Sequence, residues 1–204
     1  MIDLYAAGTS NGMRARIVLE ECGLPYTFHP VDLMAGGNRT PEFLAMNPNG
    51  QIPVIVDSDG PGGKPVTLSQ SMAILMYCAE KAGKFLPTDP AVRPAFLQAL
   101  MSAATDIGPT LGTIFGISRS KEPHKPTQEM FEARWKGYFK VWDDRLAKQK
   151  CCVGDEVTIV DFALYGAWVR AKGVLPHCCS GFSNVDRWAA DMAARPAIVR
   201  ALKF

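Results

Sequence analysis

Asn47-Pro48-Asn49-Gly50-Gln51-Ile52-Pro53-Val54-Ile55-Val56-Asp57 is the stretch whose reading decides the fold. It is a turn running into a strand, with Pro53 at the strand start, where a missing amide costs the sheet no ladder hydrogen bond. If the peptide bond before Pro53 is cis, the N–H and C=O of Ile52 face outward and can pair with an extended ligand. About a dozen residues later, Leu68-Ser69-Gln70-Ser71-Met72-Ala73-Ile74 is a strand end feeding a helix start, with Gln70 and Ser71 at the turn. Exposed N–H groups at such a start bind a carboxylate. The two pieces together describe a site for a short peptide with a free carboxylate.

Working outward, residues 2–5 are short, apolar and partly aromatic, which predicts a strand. Gly8-Thr9-Ser10-Asn11-Gly12 is a turn of helix-capping residue types, and Met13, Ile17, Val18 and Cys22 recur at helical spacing over residues 13–22. Gly23 and Pro25 stop that helix. Residues 26–33 alternate as a second strand. Residues 41–46 form a short helix, with Pro41 at its first position and Thr40 as its cap. Strands over 53–56 and 66–68 and a helix over 71–81 complete a β-α-β-α-β-β-α order. The first two strands need a helical crossover and are therefore parallel, whereas the last two are close enough for a hairpin.

Residues 83–89 read as a linker, and everything beyond residue 91 is patterned as helix, over 95–104, 128–148, 159–172 and 185–194. Phe131, Trp135, Tyr138, Phe139 and Trp142 stand at three- and four-residue steps, a core stripe. Thr158 and Asp161 before an apolar run form a capping box with Asp in the place of Glu. The fold class expected is α/β plus all-α, with an N-terminal domain over 1–82, a linker over 83–89 and a helical domain over 90–204.

With 48% apolar and 21% charged residues and a net charge of +2, the 204-residue chain has no basic block suited to nucleic acid. It has neither a secretory-type N-terminus nor a run of ~20 apolar residues, so a cytoplasmic protein away from the membrane is expected. None of the six cysteines stands in a Cys-x-x-Cys pair, and no metal site is expected. Arg14 and Arg16, set among apolar residues, read as the wet side of a helix.

An Ile-Pro strand start and a Gln-Ser helix start in one half, joined to an all-helical half carrying the Thr158–Asp161 box, resemble the cytosolic glutathione transferase family over the whole chain. Thr9-Ser10-Asn11-Gly12, together with Val31-Asp32-Leu33, Gly36-Gly37-Asn38 and Pro41-Glu42-Phe43-Leu44, is most similar to its bacterial Nu-class and disulfide-bond reductase members. Two departures stand out: Gln70 where the family's usual pair has Glu, and Gln51 where a lysine often precedes Ile-Pro.

The resemblance implies a thioredoxin-like first domain, glutathione as co-substrate and a homodimer. Thr9 and Asn11 would contact the glutathione thiol, with Ser10 as a competing candidate. Ile52, next to Gln51 and Pro53, would pair with the cysteinyl backbone. Gln70 and Ser71 would hold the γ-glutamyl end, and Asn38 the glycyl end. A small hydrophobic electrophile or a disulfide would meet Leu111, Phe115 and Arg119. The implied chemistry is thiol transfer or disulfide-bond reduction. A glutathione-dependent lyase or isomerase acting on a small aromatic compound, and a non-enzymatic binding protein, remain alternatives.

Overall fold

The first strand, β1 (Ile2–Ala6), buries Ile2, Leu4 and Ala6 while Asp3 and Tyr5 alternate to the other side, the period of two that marks a sheet. In the computed structural model, which describes residues 1–204, it is followed by α1 (Ser10–Cys22), β2 (Tyr26–Pro30), α2 (Pro41–Met46), β3 (Val54–Asp57), β4 (Val66–Ser69) and α3 (Ser71–Ala82). The sheet order is β2-β1-β3-β4. Leu4 stands opposite Phe28 in the parallel β1–β2 pair and opposite Ile55 in the antiparallel β1–β3 pair. Ile55 faces Leu68 in the β3–β4 hairpin. Helices α1 and α3 pack on each other through buried residues that include Ile17, Val18, Ile74 and Leu75. A smaller cluster of Val31, Phe43 and Val54, with Tyr5, Met46 and Ile52 against it, seats α2.

Most boundaries in the first unit fall within a residue of the sequence expectation, but the start of α1, the end of β2 and the orientation of Arg14 differ further. Helix α1 begins at Ser10 rather than Met13, because Thr9 is its N-cap and accepts the Gly12 N–H at 3.1 Å. The start of α1 also passes so close to Ala7 that a Cβ on Gly12 would lie 2.0 Å from the Ala7 carbonyl oxygen, leaving room for glycine alone. Strand β2 ends at Pro30, which has no N–H to extend the ladder. The next residues turn instead, with Asp32 Oδ1 accepting the N–H groups of Met34 and Ala35 at 2.9 and 3.0 Å. Arg14 is not on a wet face: it is 2% exposed. Arg16 is partly covered, with its guanidinium 4.7 Å from the Phe28 ring centre and 5.0 Å from that of Phe204.

The chain divides into two compact units, Met1–Leu86 with Ala194–Phe204, and Pro87–Ala193. The helical domain expected over 90–204 thus differs at its end. Helix α9 (Pro196–Ala201) packs on α1, and Arg195 holds Glu21 through two hydrogen bonds of 2.6 Å. Arg200 reaches Glu20 at 2.8 Å.

The second unit contains α4 (Arg93–Met101), a π-helical turn (Ser102–Ile107), α5 (Gly108–Ser118), α6 (Lys125–Leu146), α7 (Ile159–Val174) and α8 (Ser183–Ala193). The π turn follows from Pro109, which has no N–H for the Thr105 carbonyl and crowds it with its ring. Helix α7 is buried continuously from Ile159 to Trp168. Trp135, Phe139 and Trp168 stack in sequence at 4.5 and 4.7 Å between ring centres. No helix is long and apolar enough to cross a membrane.

Candidate functional site

Asn47, only 4% exposed, builds the turn ahead of β3. Its Nδ2 donates to the Gln51 carbonyl at 2.7 Å, and its Oδ1 accepts the Asn49 N–H at 3.2 Å. Gly50 follows at φ 61, and a Cβ there would meet Arg39 Nη1 at 2.6 Å and the Asn38 carbonyl at 2.9 Å. Glycine therefore lets the 36–40 loop close on this turn, where Asn38 Nδ2 donates to the Gly50 carbonyl at 2.6 Å. The Ile52–Pro53 peptide bond is cis.

These segments enclose a cavity of ≈ 340 Å³, within the size range of small-molecule sites. The start of α1 contributes Thr9 and Asn11, and the loop contributes Leu33, Asn38 and Arg39. The turn ahead of β3 contributes Gly50, Gln51, Ile52 and Pro53, and the start of α3 contributes Gln70 and Ser71. All eight residues expected at the thiol and peptide ends thus line one cavity in the first unit. Ser10, the competing candidate, does not line it. Leu111 and Phe115 lie four residues apart on α5 in the second unit, and Arg119 is the C-cap of that helix. Leu111 is buried there, and the Arg119 guanidinium stands 5.2 Å from the Phe115 ring centre.

Arg39, the one charged side chain lining the cavity, was missed in the sequence, as was Asn47. The signal for Arg39 is a lone cation between Gly36-Gly37 and Pro41 in an otherwise uncharged loop. No carboxylate lines the cavity. Two helix N-termini meet in it, each a partial positive charge. They differ in one respect. The start of α1 is capped by the Thr9 side chain, whereas Gln70 makes no side-chain cap on α3. The first N–H groups of α3 are therefore available to an incoming anion. Gln70 holds φ 73 and ψ 112, a backbone conformation that costs a non-glycine residue about 1–3 kcal/mol and clusters at ligand sites.

Asn11 has its amide oriented by its neighbours. Its Oδ1 accepts Arg14 Nη1 at 2.6 Å and lies 3.5 Å from the Ser71 hydroxyl. Thr9 Oγ1 spends acceptor capacity on Gly12, so its O–H is still a donor. The cysteines are arranged otherwise. All six are buried and unbridged. Burial pushes the Cys22 and Cys178 thiols up to about 11 and those of Cys78 and Cys179 up to about 12, and it holds Cys152 well above the ordinary thiol value too. Such thiols are protonated at neutral pH and poor nucleophiles.

Away from the cavity, Glu132, His177 and Cys178 bring ligand-type atoms within 4.8 Å of one another, a grouping the sequence did not reveal. Within it, His177 Nε2 and Glu132 Oε2 are at hydrogen-bond distance, 3.1 Å apart.

The sequence pattern described as glutathione S-transferase, N-terminal domain, matches residues 10–81, and the corresponding C-terminal pattern matches residues 91–196. The chain is 36% identical over 207 residues to the disulfide-bond oxidoreductase YfcG of Escherichia coli K12, covering 99% of this chain and 94% of that protein. A glutathione transferase from Burkholderia graminis, solved with two glutathione molecules bound per subunit, is similar with a TM-score of 0.92 at 36% identity, over 98% of this chain and 87% of the other. Another, from Pseudomonas putida with one glutathione disulfide bound per subunit, has a TM-score of 0.90 at 34% identity, over 100% and 91%. With both domain patterns matched in order and relatives above 30% identical over nearly its whole length, the chain belongs to the glutathione S-transferase family.

Proposed function

We propose that the cavity binds glutathione and that the chain uses the glutathione thiolate, not a cysteine of its own, to reduce disulfide bonds. One observation carries this: two helix N-termini and Arg39 converge on a single cavity with no carboxylate in its wall. That is complementary to a ligand bearing a thiolate and two carboxylates. The sulfur sits at the start of α1, beside the Thr9 hydroxyl and the Asn11 amide. The γ-glutamyl carboxylate caps α3 at Ser71, with Gln70 beside it, and the cysteinyl backbone pairs with Ile52. The glycyl carboxylate meets Arg39, with Asn38 holding the loop in place.

Lowering the thiol pKa by two units takes about 2.7 kcal/mol of preferential stabilisation of the thiolate. One hydrogen bond to an anion supplies about 1.5–3 kcal/mol, and a helix N-terminus about 0.3–1 kcal/mol. Thr9, Asn11 and the α1 start are therefore sufficient. The thiolate attacks one sulfur of a disulfide, the S–S bond breaks, and the departing thiolate takes a proton. A second glutathione thiolate attacks the resulting mixed disulfide, releasing the other thiol and glutathione disulfide. The two glutathiones supply both electrons. The buried, protonated cysteines support this route over one through a protein dithiol. So does similarity to a disulfide-bond oxidoreductase and to a structure holding glutathione disulfide.

For the disulfide or electrophile we keep the α5 face of Phe115 and Arg119, with Leu111 as its buried support. The active species is a homodimer.

Calorimetric titration with reduced and then oxidised glutathione, followed by turnover of hydroxyethyl disulfide, tests the assignment. Binding of the oxidised form at least as tight as the reduced, with turnover lost in Thr9→Val and Asn11→Ala but kept in Cys22→Ser, is the expected result. Loss of turnover in Cys22→Ser would overturn it. Binding without any turnover would favour the non-enzymatic alternative. Preference for reduced glutathione, with activity only on carbon electrophiles, would favour conjugation or isomerase chemistry.

A further inference from the structure

Arg14 lies one helical turn beyond Asn11 on α1 and is a charged side chain taken almost wholly out of water, at 2% exposure. Burying a guanidinium is costly unless its hydrogen bonds repay the lost hydration. Burial pulls this group down to about 10, so it stays protonated at neutral pH. Its Nη1 donates to Asn11 Oδ1 at 2.6 Å.

A guanidinium has donors only, so the atom of Asn11 facing it must be the carbonyl oxygen and not the amide nitrogen. The same oxygen faces the Ser71 hydroxyl, 3.5 Å away at the start of α3. With its oxygen engaged by Arg14 and Ser71, the end of the Asn11 amide left for a ligand is its NH2 group, and Asn11 lines the cavity. An asparagine without such a partner can turn either end toward a ligand, and the oxygen end would repel a thiolate.

We infer that Arg14 is a positioning residue of the thiol site: its guanidinium fixes the Asn11 carbonyl oxygen, and so makes the Asn11 NH2 the group that donates to the glutathione sulfur. It rests on the assignment of Asn11 as a sulfur donor. The Arg14 charge need not touch the ligand. It acts through the orientation of one amide, and it links that amide to the α3 start where Ser71 takes part in the peptide end of the site.

The pKa of bound glutathione, read from the ultraviolet absorbance of its thiolate across pH at saturating glutathione, tests this. Arg14→Met is expected to raise that pKa by about one unit, roughly tenfold less thiolate at a pH below it. Arg14→Lys, which keeps a donor, recovers part of the shift. Adding Arg14→Met to Asn11→Ala gives no further rise, because the amide that Arg14 orients is already gone. An unshifted pKa in a folded Arg14→Met protein, or shifts that add in the double variant, would overturn the role of Arg14 and leave the glutathione site intact. An unshifted pKa in Asn11→Ala would instead remove the sulfur role of Asn11, and the role of Arg14 with it.

If Arg14→Met does not fold, Asn11→Asp decides. With Arg14 in place, one carboxylate oxygen stays on the guanidinium and the other faces the sulfur. The bound thiol pKa should then exceed that of Asn11→Ala, and an equal or lower value would refute the arrangement.

Discussion

A single residue type at one position decides much of the site. Gly50 admits the loop carrying Asn38 and Arg39 because a Cβ there would collide with both. Arg39 is exposed, so the pairing with a ligand carboxylate proposed for it is screened by water and worth less than a buried pair. Arg39→Gln is therefore expected to weaken glutathione binding by about three- to tenfold, on the order of 1 kcal/mol. Its effect should fall on KM with kcat little changed, as for an interaction made equally in ground and transition states. Steady-state kinetics with glutathione as the varied substrate check this, and a drop confined to kcat would contradict it.

At the scale of elements, the most heavily satisfied polar group belongs to a helix start in the second unit. Asp161 is fully buried. It accepts the Thr158 and Cys152 N–H groups at 2.8 Å each and the Trp188 indole N–H at 2.9 Å. With Thr158 it closes the capping box that begins α7. Removing the carboxylate strands several buried donors, each costing about 1–3 kcal/mol when left unpaired. Asp161→Ala should therefore destabilise the protein by about 3 kcal/mol or more, and Thr158→Ala, which loses one cap, by about 1 kcal/mol. Chemical unfolding midpoints of the two variants test the order, and an equal loss in both would refute it. The capping box was legible because it is written in local spacing. The partners of Asp161 across the sequence, Cys152 and Trp188, were not.

For the whole molecule, Asp57 in the first unit and Asp143 in the second are buried carboxylates that make stability depend on pH. Burial alone would raise Asp57. Hydrogen bonds from the Tyr77 hydroxyl at 2.6 Å and the Asp59 N–H at 3.0 Å, with Lys81 at 2.9 Å, outweigh it and hold the carboxyl below its ordinary value. Asp143 is likewise raised by burial and lowered further by the Val185 and Asn184 N–H groups. A depressed native pKa contributes stability that is fully present above the unfolded value, near 3.8, and is lost as pH falls through the native value. Thermal midpoints should thus be level near neutrality and fall once pH drops below about 4. Asp57→Asn and Asp143→Asn should start lower and show a shallower acid slope. Slopes identical to that of the parent chain would show that these carboxylates do not govern acid unfolding.

Local pattern was sufficient for the element order, the hairpin and the Pro53 turn into β3, because period, punctuation and capping act over a few neighbours, whereas most of the eight cavity residues were reached through the family resemblance. The sequence by itself determined which elements follow one another and, to within a few residues, where they begin, and so placed Thr9 and Asn11 at one helix start and Gln70 and Ser71 at another. Tertiary structure alone decided that α9 belongs with α1 and that Arg39 reaches the cavity past Gly50. It also decided that Arg14 is buried against Asn11 rather than wetted. The physical reason is the same in each case. Burial and electrostatic pairing depend on distances between segments remote in the chain, and no spacing along it encodes them.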